Sequence, residues 1–218
     1  MSGFRELIRK FVRDVRVISG IARRKKMDRV SQIVNYFHDD DYVDFVAKFG
    51  KREANAIFKR AMKIGSEVDS AIRAEVNGFE VPAKLSPEAR LALKGWESYK
   101  ADHPNCKFKT LDRFSSLILG VTGEIDLLCY IHSRLVSLKV ASEIRPSYWI
   151  QEGGYCILLA EVNVLVEEVE IVRFCKQVGV YENKKTTMIA ELKNLFLSNL
   201  NMMRFWRGDY EHDYFDNS

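Results

Sequence analysis

Proline is scarce in this 218-residue chain, at four residues, and glycine contributes only twelve, so nothing here is collagen-like or a turn-rich linker. Long apolar runs are missing as well. No stretch approaches the roughly 18 unbroken apolar residues that a membrane helix needs. The four cysteines, Cys106, Cys129, Cys156 and Cys175, are spaced 23, 27 and 19 apart, and no two form the C-x-x-C pair that wraps zinc or an iron–sulfur cluster. Free thiols in a reducing compartment are the simpler expectation. A clean apolar leader is absent too, which points to the cytoplasm (a host cytoplasm for a viral chain). There is no internal repeat and no low-complexity segment. What is present is ordinary globular material, 47% apolar and 29% charged, enough for a core without staples.

The net charge of +4 is unevenly spread. Residues 1–27 carry nine lysines and arginines against Glu6 and Asp14, a net of +7, which leaves −3 for the remainder. Phe4, Leu7, Ile8, Phe11, Val12, Val15 and Ile18 recur every three or four positions, the spacing of an amphipathic helix over 3–19. Arg23, Arg24, Lys25 and Lys26 follow it. A basic end of this kind can hold a polyanion such as nucleic acid by its phosphates. It is also what a solvated helix face looks like, with the apolar stripe docked on the core or on a second copy in a homodimer. A mitochondrial transit peptide is similar in composition, although Glu6 and Asp14 count against one.

Helical periodicity continues through about residue 104. One helix starts near Ser31 and is interrupted by His38-Asp39-Asp40-Asp41, aspartates expected to cap the next helix. Another runs over 51–76 with Ala54, Ile57, Phe58, Ala61, Ile64, Val68 and Ile72 as its inner stripe, and a third over 88–100. After Pro104 the period drops to two. Strands are predicted over 114–121, 124–131 and 135–141, with turns at 120–123 and 132–134. A helix over 146–161, strands over 169–174 and 177–181, and a helix over 188–206 complete the chain. The expectation is one α/β domain over 1–218: a mixed β-sheet flanked by helices over 105–218, preceded by a mainly helical part over 1–104.

The hairpin is where chemistry can sit. Glu124 and Asp126 share one strand face, and Ser137 and Lys139 share one face of the next strand. A turn centred between His132 and Ser133 sets Asp126 opposite Lys139; a slip of two residues sets it opposite Ser137. Either way a carboxylate and an amine meet on a largely apolar sheet, where charge needs a reason. Gln151 and Tyr155, four apart, then share one face of the following helix, and Gly153-Gly154 lets that helix approach a partner closely.

In this order, Gly123-Glu124-Ile125-Asp126, then Ser137-Leu138-Lys139, then Gln151-x-x-x-Tyr155 resembles the PD-(D/E)XK nuclease superfamily. Within it the pattern is most similar to the RecB-like exonuclease branch, with its G-x-x-D, D-x-K and Q-x-x-x-Y motifs. Gly65 to Asp69 is similar to that branch's helical G-x-x-x-H segment, and Asp112 falls where the branch often has a glutamate. The resemblance spans about residues 30–155 and implies a restriction-endonuclease-like fold and a metal-dependent deoxyribonuclease. It further implies Mg2+ or Mn2+ held by Asp126, the Leu138 carbonyl and other acids. Lys139 would position water or offset developing charge, and Gln151 and Tyr155 would orient Lys139 and the phosphate.

Two departures stand out. Asp69 occupies the histidine position, and Ser137 occupies that of the second carboxylate, where a neutral hydroxyl is a poor ligand for a hard cation. Asp112, Asp69 and Glu124 are the acids expected to stand in for it. The alternative is a weakened or inactive protein that keeps the fold and binds nucleic acid. A scaffold that dimerises through its N-terminal helix is a third reading.

Overall fold

The computed structural model describes residues 27–36 and 39–209, with the backbone alone for 39–42. The predicted helix over 3–19, the Arg23–Lys26 cluster, His38 and the acidic end beyond Asp209 lie outside the described residues, as do the side chains of the aspartates expected to cap.

Six helices and eight strands form among the described residues. In chain order they are β1 (Asp28–Arg29), α1 (Val30–Asn35), α2 (Asp39–Phe49), α3 (Lys51–Val76), α4 (Pro87–Asp102), β2 (Phe108–Thr110), β3 (Arg113–Ser116), β4 (Val121–Glu124), β5 (Leu127–Cys129), β6 (Arg134–Lys139), α5 (Pro146–Glu161), β7 (Glu168–Phe174), β8 (Tyr181–Thr186) and α6 (Ile189–Arg207). The expected α/β class, a mixed sheet flanked by helices with helical segments ahead of it, is what the chain forms. No helix among the described residues is long and apolar enough to cross a membrane.

Helix boundaries follow local chemistry. Ser86 caps α4, its hydroxyl accepting from the Ala89 N–H at 3.3 Å, and Pro87 takes the first position, where the missing N–H costs nothing. Pro146 takes the first position of α5 as well, there without a side-chain cap. Gly208, at φ 70°, ends α6 in the left-handed conformation.

Five strands form one sheet in the order β2-β5-β6-β7-β8, and β1-β4-β3 form a second. In the larger sheet β6 and β7 are parallel and the other pairs antiparallel. Parallel neighbours require a long crossover, and α5 is that crossover. Strand alternation then divides the interior. Leu135 and Val169 point to one face, where they pack with Tyr155, Leu159, Phe196 and Leu200 from α5 and α6. Val136 and Val172 point to the other, where they meet Val68 and Ile72 of α3 and Trp96 and Tyr99 of α4.

The helix crossing over the first face is seated backbone to backbone. A Cβ on Gly153 would stand 2.0 Å from the Leu192 carbonyl oxygen, and one on Gly154 2.7 Å from the Phe196 ring, so α5 and α6 touch where neither position can carry a side chain.

The structure corrects several sequence expectations. The strand predicted over 114–121 breaks into β3 and β4 around a turn in which the Ser116 hydroxyl accepts from the Leu119 N–H at 2.9 Å. Ile118 sits exposed at the turn and Gly120 reverses the chain at φ 60°. Gly123 is therefore strand and not turn, and the Tyr155 ring fills the space of its missing side chain. Residues 177–180 form a turn, with the strand starting at Tyr181. The strands β1 and β2 had no sequence signal. Ile57 and Phe58, assigned to the inner stripe of α3, are exposed rather than buried, and Phe58 packs on Phe45.

The α5–α6 contact predicts a contrast between two glycines. Gly153→Ala should destabilise the protein by about 3 kcal/mol or more in urea unfolding, since the intruding methyl meets backbone. Gly65→Ala, in open space on α3, should instead stabilise it by up to about 1 kcal/mol.

Candidate active site

The site lies on the α5 face of the sheet, beside the end of β6. The chain leaves β4 at Glu124 and enters β5 at Leu127, so Asp126 sits in a two-residue link. Leu127 pairs with Val136 and Leu128 with Leu135, which is the second of the two registers and sets Asp126 against Ser137. The contact is direct. Asp126 Oδ2 accepts from the Leu138 N–H at 2.8 Å and from the Ser137 hydroxyl at 3.4 Å. A backbone amide that would otherwise end the strand unpaired thus fixes one carboxylate oxygen.

Two residues on, Lys139 donates to Gln151 Oε1 at 3.1 Å, and Gln151 Nε2 donates to the Tyr155 hydroxyl at 2.6 Å. The ammonium also stands 5.3 Å from the centre of the Tyr148 ring, a cation–π arrangement. Lys139 is therefore held from two sides by α5. Tyr155 is buried, and burial above all raises its hydroxyl pKa, so it remains a neutral anchor for Gln151.

Between Gln151 and Gly153 lies a residue that sequence reasoning missed. Glu152 is completely buried, and neither of its carboxylate oxygens has a hydrogen-bond partner. Its surroundings are those of the site. Its pKa is raised to about 7 in all: burial raises it most, Lys139 lowers it, Asp126 raises it, and the Ser137 hydroxyl favours the charged form. Ser137 Oγ stands 3.4 Å from Asp126 Oδ2 and also acts on Glu152, without completing a hydrogen bond to it. Ser137, itself 1% exposed, is thus flanked by Asp126 and Glu152. The one clue in the sequence was an acid followed by two glycines on a helix otherwise rich in apolar residues.

Arg73 of α3 was also missed. It donates to both oxygens of Asp69 at 3.0 Å, to the Leu111 carbonyl and to the Ile125 carbonyl, each also at 3.0 Å. Its guanidinium lies 4.0 Å from Asp126 Oδ1. One cation therefore ties α3 to both links that frame the site. The i,i+4 spacing of Asp69 and Arg73 was the available signal.

Of the acids expected to stand in at Ser137, Asp69 and Glu124 are ion-paired and Asp112 lies exposed. Asp69 is paired with Arg73, and burial is the main cause of its raised pKa. Glu124 is exposed and pairs with Arg113 at 3.3 Å, because the break after β4 ends the strand face it was expected to share with Asp126. Asp112 is exposed in the link between β2 and β3, with no hydrogen bond or ion pair to the residues above among the described contacts. Leu138 contributes its N–H to Asp126. Arg23, Arg24, Lys25 and Lys26 lie outside the described residues.

No family model matches the chain, and no curated protein matches it significantly. Among solved structures, it is similar to an alkaline exonuclease from Laribacter hongkongensis, with 13% identity and a TM-score of 0.44 over 86% of this chain and 94% of the other. A structure of the same exonuclease in complex with dAMP gives 12% and 0.42 over the same shares. A phage-related exonuclease from Haemophilus somnus 129PT gives 12% and 0.39, covering 65% of this chain and 79% of that one.

Glu152 makes a testable demand on stability. The folded protein holds this proton more tightly than the unfolded chain, so stability is full below the ordinary carboxyl value of 4.5 and is lost as pH rises through about 7. In chelator and urea, the stability difference between Glu152→Gln and the parent should therefore move in the variant's favour between pH 4.5 and 8, by up to about 3 kcal/mol. A difference that does not change with pH would mean that Glu152 has a partner.

Proposed function

We propose that the chain is a metal-dependent nuclease of the PD-(D/E)XK type, hydrolysing phosphodiester bonds of DNA, with Glu152 supplying from α5 the carboxylate missing at Ser137. The supporting observation is Glu152 itself. A fully buried carboxylate whose two oxygens lack a hydrogen bond opposes folding when charged, and a bound cation would remove that cost.

The donors fit a hard divalent cation. Asp126 Oδ2 is committed to the Leu138 amide, which leaves Oδ1, itself 4.0 Å from the Arg73 guanidinium, and both oxygens of Glu152 lack a hydrogen bond. Carboxylate oxygens are the ligands that Mg2+ and Mn2+ prefer, and a cation beside Glu152 would remove the cost of its charge. Asp126 and Glu152 would hold the ion. Asp69, Glu124 and Asp112 are not needed for it, and Ser137 becomes a spacer between the two ligands. When bound, the ion supplies Lewis acidity at the phosphoryl oxygen and lowers the pKa of attacking water.

The chain's own groups do the remainder. Lys139, pointed by Gln151 and steadied by Tyr148, presents a fixed positive charge where negative charge accumulates on the phosphate. Tyr155 holds Gln151, and Arg73 holds the Ile125–Asp126 link in place. The reading of an inactive, DNA-retaining protein rests on the neutral Ser137, and a buried carboxylate at Glu152 speaks against it.

Cleavage of labelled DNA in Mg2+ or Mn2+ tests this. Asp126→Asn and Glu152→Gln should each cost about 100-fold or more, and Ser137→Asp should restore part of the loss in the Glu152→Gln background while adding little to the parent. A folded Glu152→Gln that cleaves like the parent contradicts the assignment.

The basic segment is tested separately, through salt. If Arg23, Arg24, Lys25 and Lys26 contact phosphates, replacing all four by alanine should flatten the log–log dependence of DNA affinity on salt by up to about 3 units and weaken binding evenly across sequences. An unchanged slope would leave the DNA path to the Asp126–Lys139 face alone.

A further inference from the structure

On the opposite face of the sheet a second group of ligand-type side chains converges. Cys106 Sγ, Cys129 Sγ and a ring nitrogen of His132 all lie within 4.8 Å of one another. Cys129 is completely buried at the end of β5, Cys106 is half-buried in the loop before β2, and His132 is exposed in the β5–β6 turn.

The backbone around them is more ordered than a chance meeting requires. Cys129 and His132 are three apart, and the His132 N–H bonds back to the Cys129 carbonyl at 3.2 Å. Cys106 has a histidine at the mirror spacing, and its N–H bonds back to the His103 carbonyl at 3.0 Å. The Tyr130 N–H donates to the Lys107 carbonyl at 3.2 Å and joins the two turns. The sequence thus reads His-x-x-Cys, 22 residues, then Cys-x-x-His, with both short turns facing each other across the sheet edge. Paired two-residue-spaced turns carrying cysteine and histidine are the usual frame of a tetrahedral zinc site.

His103 is outside the tight group but prepared for it. Its Nδ1 lies 2.8 Å from the Tyr99 carbonyl, an acceptor, which assigns the proton to Nδ1 and leaves Nε2 with its lone pair. Zinc-bound histidines are held in this way by a carbonyl behind the ring. Burial above all raises the Cys106 thiol pKa, and Arg134 Nη1, 3.8 Å from Sγ and itself paired with Glu168 and Glu170, offsets part of that, so a thiolate there needs the cation.

We propose that Cys106, Cys129 and His132, completed by His103, form a structural site for a zinc-type divalent cation. The ion would clamp the loop ahead of β2 to the β5–β6 turn. Sulfur and imidazole donors select such an ion over Mg2+, so this site and the carboxylate site take different metals. Binding exchanges two thiol protons for one cation, with no change of oxidation state, and two thiolates with two neutral imidazoles leave the site uncharged. The sulfurs now stand 2.8 Å apart and must separate to about 3.8 Å, a shift that the Cys106 loop can supply.

The test uses the full chain, stripped by chelator and kept reduced, with Zn2+ as the probe and Co2+ as its spectroscopic substitute. We expect one Zn2+ bound with about two protons released, not displaced by excess Mg2+, and a thiolate-to-cobalt charge-transfer band for Co2+. His132→Gln and His103→Gln, which leave the buried sulfur in place, should each weaken binding by about tenfold or more while circular dichroism shows the fold retained. Cys129→Ser should abolish the band. The proposal is overturned by zinc affinity unchanged in His132→Gln, by zinc that is lost in Asp126→Asn but kept in His132→Gln, or by a non-reduced mass two hydrogens short, which would make the sulfurs a disulfide. None of these readouts depends on DNA cleavage.

Discussion

An ionisable carboxyl group taken out of water and left without a hydrogen bond opposes folding, and the chain around Glu152 is arranged so that this opposition is tolerated at one point. Helix α5 is the crossover that parallel β6 and β7 demand, and Gly153 and Gly154 let α6 press it inward. The residue just ahead of those glycines is thereby driven into the interior. On the same helix, Gln151 and Tyr155 fall on the side that meets Lys139, so the packing that buries the acid also aims the base. Remove the close helix contact and neither would be held.

The sheet separates two kinds of chemistry by strand alternation. Along β6, Ser137 and Lys139 face α5 and the oxygen donors of Asp126 and Glu152. Arg134 and Val136 face α4, where Tyr99, Glu170, Cys106 and Cys129 gather. Glu170 shows what a buried acid looks like when its role is structural. It accepts from Tyr99 at 2.8 Å, Arg134 at 3.0 Å and Asn183 at 2.5 Å. Glu152, equally buried, has no such support, and that contrast within one molecule is why it is assigned a ligand rather than a place in the core.

The fold class and the order of its elements were legible in the sequence because long helices and period-two strands leave strong patterns. The pairing of Asp126 with Ser137 was legible as one of two registers, which only the observed strand ends could separate. Short strands such as β2 escaped, since three residues carry no period. Glu152 escaped for a different reason. A single acid in a helix reads as solvent-facing, and only the tertiary approach of α6 makes its position interior. Asp69 was legible as an acid near the site, but its pairing with Arg73 depends on where two loops deliver the Leu111 and Ile125 carbonyls. Cysteine-to-cysteine spacing carries no signal here, and the histidines three residues from Cys106 and from Cys129 gain meaning only through the backbone bonds that join the two turns.

With Glu152 in place of the strand carboxylate as a metal ligand beside Asp126, anomalous diffraction from a crystal of the protein soaked in Mn2+ should show one strong peak in contact with Asp126 Oδ1 and a Glu152 oxygen, with Asp69 still bound to Arg73. A peak held by Asp69, Asp112 or Glu124 while Glu152 stays unengaged, or no peak on the α5 face at saturating Mn2+, would overturn that assignment.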